Sequence, residues 1–243
     1  MSTERRFPAH RLAAGAALAA ALAAGLVLLA LAVPRAAAYG LIADRGGAAA
    51  LQPALSPQAL EAARGRYREA LSWHPSDGGL ALDLARLDLR APAGEGEALS
   101  AAVAHLRQAA ARTPNNALVW SLLAEAETKR AADPEAVVEA LRMSRFTGRF
   151  EASSLVLRSS VALTGWSWLP DDLRDNARRD LARLAGEPRL RRDMIRMYVA
   201  LGYGARAVLL DQAFAADGDR ERFKRQVLSR AGERRDLRPQ GDS

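Results

Sequence analysis

The sequence predicts an all-α fold in which one N-terminal transmembrane helix precedes a short stack of paired helices and extra C-terminal helices. Three observations carry that prediction. The apolar residues, 49% of a 243-residue chain, are mostly Ala and Leu, with only 5% aromatics. Ala and Leu lose little freedom in a helix, whereas sheets draw on β-branched and aromatic side chains. Residues 12–33 hold no charge, and downstream of them one spacing of small residues and proline recurs.

The uncharged run from Leu12 to Val33 is 22 residues long. At 1.5 Å rise it reaches about 33 Å, against a hydrocarbon core of about 30 Å. Arg5, Arg6 and Arg11 precede it, and only Arg35 follows closely before Arg45. The positive-inside bias therefore puts residues 1–11 in the cytoplasm, the span at 12–33 in a bacterial inner membrane, and the rest of the chain in the periplasm. The competing reading is a cleaved signal peptide, because Ala36, Ala37 and Ala38 before Tyr39 offer small residues in an A-x-A pattern. The run exceeds the roughly 7–15 apolar residues of a signal peptide, and Pro34 and Arg35 interrupt the approach to the cleavage site, which favours a retained anchor.

Residues 34–55 read as a linker punctuated by Gly40, Gly46, Gly47 and Pro53. Ser56 then caps a helix with Pro57 in its first turn. Ala63, Tyr67, Ala70 and Pro75 stand at A-x3-Y-x2-A-x4-P, and Ala102, Leu106, Ala109 and Pro114 repeat that spacing 39 residues later. Ala136, Ala140 and Met143 supply a third copy, with Gly148 in place of the proline. Small residues at these positions let a second helix approach, the larger one fills the core of the pair, and proline ends the helix. Pro75 is followed by Ala81, Leu84 and Ala85, and Pro114 at the same offsets by Trp120, Leu123 and Ala124.

Over residues 56–148 these patterns resemble the tetratricopeptide repeat, whose first helix carries W-x2-L-G/A and whose second carries A-x3-F/Y-x2-A-x4-P. Two departures stand out. The family repeat is about 34 residues, so the copy ending at Pro114 carries extra residues, placed in the loop 91–97, and the first copy lacks its own first helix. The resemblance makes Tyr67 and Trp120 core residues, Ala70 and Ala109 close-contact sites, and Arg107 a solvent-facing residue.

So short an array needs capping helices, because each repeat buries its apolar face only against neighbours. They are expected over 149–231. Leu155, Leu157 and Val161 mark one helix, and Pro170, Asp171 and Asp172 start another with Leu173, Ala177, Leu181 and Leu184 on one face. A third runs from Pro188 to about Leu201. Short helices then alternate with Gly202, Gly204 and Gly218, and the polar tail 232–243 is expected to be disordered.

The net charge of +7 comes almost wholly from arginine, with lysine only at Lys129 and Lys224. The basic residues are interleaved with acids, as in Asp219-Arg220-Glu221-Arg222, so no single-sign stripe for nucleic acid is evident. Absence of cysteine excludes disulfides, thiolate metal sites and a cysteine nucleophile. No phosphate-cradling loop, dinucleotide fingerprint, nucleophile elbow or zinc-protease motif occurs. His10, His74 and His105 read as structural or surface histidines, Asp171-Asp172 as a helix start, Asp217-Gly218-Asp219 as a turn, and Trp166 and Trp168 as packing aromatics at a corner. No enzyme activity and no cofactor is expected.

What the resemblance implies is protein binding. In the family, first helices line a concave groove that receives a peptide or partner helix, which here would carry Leu82, Arg86, Leu118, Ser121, Glu125 and Lys129. Ser121 and Glu125 depart from the Lys and Asn pattern that clamps C-terminal carboxylates, so an extended or helical segment held by mixed contacts is expected. The layout of anchor, repeats and a helical extension after Thr147–Glu151 is similar to anchored repeat proteins of bacterial envelope and exopolysaccharide synthesis. It implies a scaffold for a protein or peptide partner in the periplasm or inner membrane. A periplasmic chaperone or assembly factor that binds unfolded clients is the alternative.

Overall fold

A computed structural model describes residues 9–43, 55–91, 96–131 and 133–236. These residues form eleven α-helices and one 3-10 turn, with no strand among them. The chain divides into two compact units, residues 1–87 and 88–243.

The first unit contains α1 (Ala9–Ala43), α2 (Pro57–Trp73) and α3 (Gly78–Asp88), the last residue of which belongs to the second unit. α1 is long and apolar enough to cross a membrane over Ala19–Ala43, a stretch with mean hydropathy 2.0. It runs beyond Val33 and through Pro34, so the first ten residues of the expected linker are helical, while 44–54 lie outside the described residues. Alanines on either side sustain the helix past the proline, which removes only one backbone bond in a stretch whose end is held by packing. That end lies against α2, with Ala38 fully buried. Arg35 donates to His74 Nε2 at 3.2 Å, and the Tyr39 hydroxyl donates to Asp77 at 2.8 Å.

α2 starts as expected, with the Ser56 hydroxyl accepting from the Ala59 amide and Pro57 at the first position. It buries Leu60, Ala63, Tyr67, Ala70 and Leu71. α3 buries Leu80, Ala81, Leu84, Ala85 and Leu87. Asp77 caps α3 by accepting from the amides of Gly79 and Leu80.

The second unit continues with α4 (Gly96–Arg112), α5 (Ala117–Lys129), α6 (Pro134–Thr147), α7 (Ala152–Thr164) and α8 (Asp171–Gly186). After the 3-10 turn Pro188–Leu190 come α9 (Arg191–Ala200), α10 (Tyr203–Ala213) and α11 (Asp217–Asp236). α5 packs against α4, α6 and α7, and α8 packs against α6 and α7. The hairpin α5–α6 therefore lies on the hairpin α7–α8, first helix to first helix and second to second.

One local turn recurs in both units and corrects the register of the third sequence copy. The amides of His74, Thr113 and Gly148 donate to the carbonyls of Ala70, Ala109 and Ser144, and those of Asp77, Asn116 and Glu151 donate back to His74, Thr113 and Gly148. The equivalent of Ala109 is thus Ser144 and not Met143. The buried set in α6 is Val137, Leu141 and Ser144 with Ala140, while Ala136 and Met143 are only half-buried. Gly148 is needed because an added Cβ there would stand 2.3 Å from the Ala117 methyl group.

The same offsets from the turn carry Ala81, Leu84 and Ala85 in α3, Trp120, Leu123 and Ala124 in α5, and Leu155, Arg158 and Ser159 in α7. α7 is therefore a third first helix, with a buried arginine where the others hold leucine. Leu157, expected inside, is half-buried and Arg158 replaces it.

α8 buries Leu173, Ala177, Leu181 and Leu184, the face expected for it. Leu181 and Leu184 join Leu155, Leu163, Met194, Met197, Leu209, Phe214 and Phe223 in one core. The Phe223 ring is 5.2 Å from Phe214 and 5.4 Å from Tyr198. Trp168 packs its ring onto Gly165, where an added Cβ would meet it at 2.3 Å, and Arg178 lies over the Trp166 ring at 5.5 Å. α11 reaches Asp236, beyond the expected start of the disordered tail at Gly232, and residues 237–243 lie outside the described set. Base and acid pairs three residues apart, Arg222 with Asp219 and Lys224 with Glu221, support the solvent-facing side of that helix.

Candidate functional site

The six residues expected to form a partner groove fall on α3 and α5, one helix in each unit. On α3, Leu82 and Arg86 are half-buried, and Arg86 lies 3.5 Å from Asp83, so its charge is partly met within its own helix. On α5, Leu118 and Glu125 are half-buried and Lys129 is exposed. Lys129 pairs with Glu125 at 2.8 Å, as residues four apart on one helix face can.

Ser121 is a correction. It is fully buried, and its hydroxyl donates to the Ala117 carbonyl at 3.0 Å and stands 2.6 Å from the Ser144 hydroxyl. α6 and α7 both pack on this side of α5, and a small residue is what lets them approach. Ser121 is a seam residue, and a partner would meet Leu118, Glu125 and Lys129 without it.

Arg107 is solvent-facing, as expected, and also holds a partner. It leaves α4 to donate to Glu127 of α5 at 2.7 Å, and Arg130 donates to the other carboxylate oxygen at 2.8 Å. The Glu127 side chain is buried, so both oxygens are answered by guanidinium groups. Trp120, half-buried, closes the α4–α5 turn by donating its indole N–H to the Pro114 carbonyl at 2.7 Å. His105 meets the buried Asp88 at 2.9 Å.

Sequence reasoning missed two surface features of the second unit. The stretch Thr147–Glu151 places Phe150 in solvent, with Phe146 of α6 also exposed. Arg149 and Arg183 lie over the Phe150 ring at 5.3 and 4.8 Å, an arrangement that stabilises an exposed aromatic through its negative face. Phenylalanine next to arginine around a helix-ending glycine was the signal in the sequence. The second feature is a cleft at the start of α9 lined by Arg189, Arg191, Arg192 and Arg196, which are close in sequence, and by the distant Arg230. No protein-family model matches the chain, and no curated protein matches it.

Proposed function

We propose that the protein is a membrane-anchored, non-enzymatic scaffold of tetratricopeptide-like architecture that holds a protein or peptide segment on the exposed faces of its first helices. The observation that carries this reading is the continuity of α1: a helix of membrane-spanning length ends in direct contact with the first hairpin turn, through Arg35 with His74 and Tyr39 with Asp77. An anchor coupled in this way holds its domain at the membrane surface, as a device for gathering components requires. The same contact supports a retained anchor, since Ala36–Ala38 is helical and Ala38 is buried.

The arginines before Leu12 assign the N-terminus to the cytoplasm and the helical units to the periplasm of a bacterial inner membrane. By its layout the machine served is one of envelope or exopolysaccharide synthesis. Leu118 is the apolar contact of the α5 face, flanked by the Glu125–Lys129 pair.

Partner capture from crosslinked native membranes tests the proposal. Leu118→Glu and, separately, Leu82→Glu should each lower recovery of a defined partner set by at least about fivefold, the equivalent of about 1 kcal/mol at an interface. Helical circular dichroism should be unchanged. Unaltered recovery with an intact fold would remove these faces from the mechanism, and many unrelated clients in place of a defined set would identify a chaperone.

A further inference from the structure

We infer that the arginine-lined cleft at the start of α9 is a binding site for a phosphate group. The cleft, about 460 Å³, is lined by Arg189, Arg191, Arg192, Arg196 and Arg230, with Asp193 and Pro188. Three of its cations are engaged locally: Arg189 with Glu187 at 3.1 Å, Arg191 with the Ala185 carbonyl at 2.8 Å, and Arg196 with Asp193.

Arg192 and the half-buried Arg230 have no hydrogen-bonding or ionic partner among the described residues. Five guanidinium groups face one space against two carboxylates, Asp193 and Glu187, an excess of three positive charges. Like charges gathered in one cleft repel and raise the local concentration of anions. α9 adds to the field, because it begins without a side-chain cap and directs the positive end of its dipole to the same place.

The number of cations selects among anions. One guanidinium satisfies a carboxylate through two parallel hydrogen bonds. Free donors on Arg192 and Arg230, from α9 and α11, instead suit a tetrahedral group whose anionic oxygens diverge and can be shared between two guanidinium groups, which is the geometry of phosphate as a free ion or an ester. A phospholipid headgroup and a free phosphate or pyrophosphate share it.

The full-length protein in neutral detergent micelles separates these sources. One arm titrates inorganic phosphate and pyrophosphate by calorimetry, and the other replaces part of the detergent with phosphatidylglycerol and follows the melting temperature. Saturable binding is expected in at least one arm, weakened at least about tenfold in an Arg192→Gln/Arg230→Gln variant and unchanged in Arg149→Gln. A response to inorganic anions assigns the site to a free phosphate compound, and a response to phosphatidylglycerol alone assigns it to a headgroup. No response in either arm overturns the inference, as does equal binding by the double variant. Should that variant not fold, the exposed Arg192→Gln change alone carries the same test.

Discussion

Two places in the second unit bury a carboxylate between two arginines, and they do so on different terms. Glu127 takes its partners from the surface, where Arg107 and Arg130 keep 58% and 38% of their side chains in water. Asp180 is met from inside: Arg158 is 4% exposed and Arg145 14%. Arg158 donates to Asp180 at 2.6 Å and spends its other nitrogens on the carbonyls of Gly148 and Arg149. The first site clips α4 to α5 with ions that water can still reach, whereas the second ties α6, α7, α8 and the α6–α7 turn through a cation that water cannot replace. A buried pair is weak evidence for stability as a pair, yet removal of one member leaves an uncompensated charge.

Arg158→Ala should therefore have the largest effect, about 3–5 kcal/mol in chemical unfolding, because Asp180 loses its deepest partner and two carbonyls lose their donor. Arg107→Ala should cost within about 1 kcal/mol, since the arginine is largely solvated and Arg130 still holds Glu127. Equal losses would show that burial of the cation is not what separates the two sites.

The packing seams sharpen the comparison at intermediate size. Ala109 is fully buried in α4, and Ala109→Leu should overpack its neighbours by about 1–3 kcal/mol. Ala136→Leu should cost less, because Ala136 is half-buried and the close-contact position of α6 is Ser144. The reverse order would restore the register in which Ala136 and Met143 occupy the seam.

What was legible in the sequence follows from the same physics. Periodic small and apolar residues reported the faces of α2, α4 and α8, since burial there is by hydrocarbon and period alone reveals it. In α7 Leu155 and Val161 are buried as expected and only Leu157 was misplaced, because the inward position beside it is Arg158, polar by composition and buried where Asp180, 22 residues on, supplies the opposite charge. Ser121 was misread for a related cause. A serine on a first helix looks like a surface donor until a second serine, Ser144, is known to lie 2.6 Å away. The third copy slipped by one residue because Ala140 belongs to the buried face in both registers, and only the turn at Gly148 decides between them. Four arginines of the cleft stand together in the sequence between Arg189 and Arg196, but no local pattern encodes that Arg230 joins them.

The smallest expected effect concerns two aspartates of the first unit whose environments act in opposite directions. Burial pushes the Asp77 carboxyl up, but the Tyr39 hydroxyl, the amides of Leu80 and Gly79 and the nearby His74 together hold it below its ordinary value of 3.8. Burial also pushes Asp83 up, and there Arg86 at 3.5 Å does not offset it, so that carboxyl sits above 3.8. A depressed carboxyl contributes stability that is present above its unfolded value and lost as pH falls through the folded one; for a raised carboxyl, the contribution is present below the unfolded value and lost as pH rises through the folded one. At pH 7, Asp77→Asn should thus lower the melting temperature, and that loss should shrink as the pH is taken below 3.8. Asp83→Asn should raise the melting temperature at pH 7, and the gain should vanish below 3.8, where the wild-type carboxyl is protonated folded and unfolded alike. Melting curves of the two variants between pH 3 and pH 7 read both signs at once. A rise in melting temperature for Asp77→Asn at pH 7 would show that the contacts of Asp77, that of Tyr39 foremost, do not hold in solution, and with them the coupling of the membrane helix to the first hairpin.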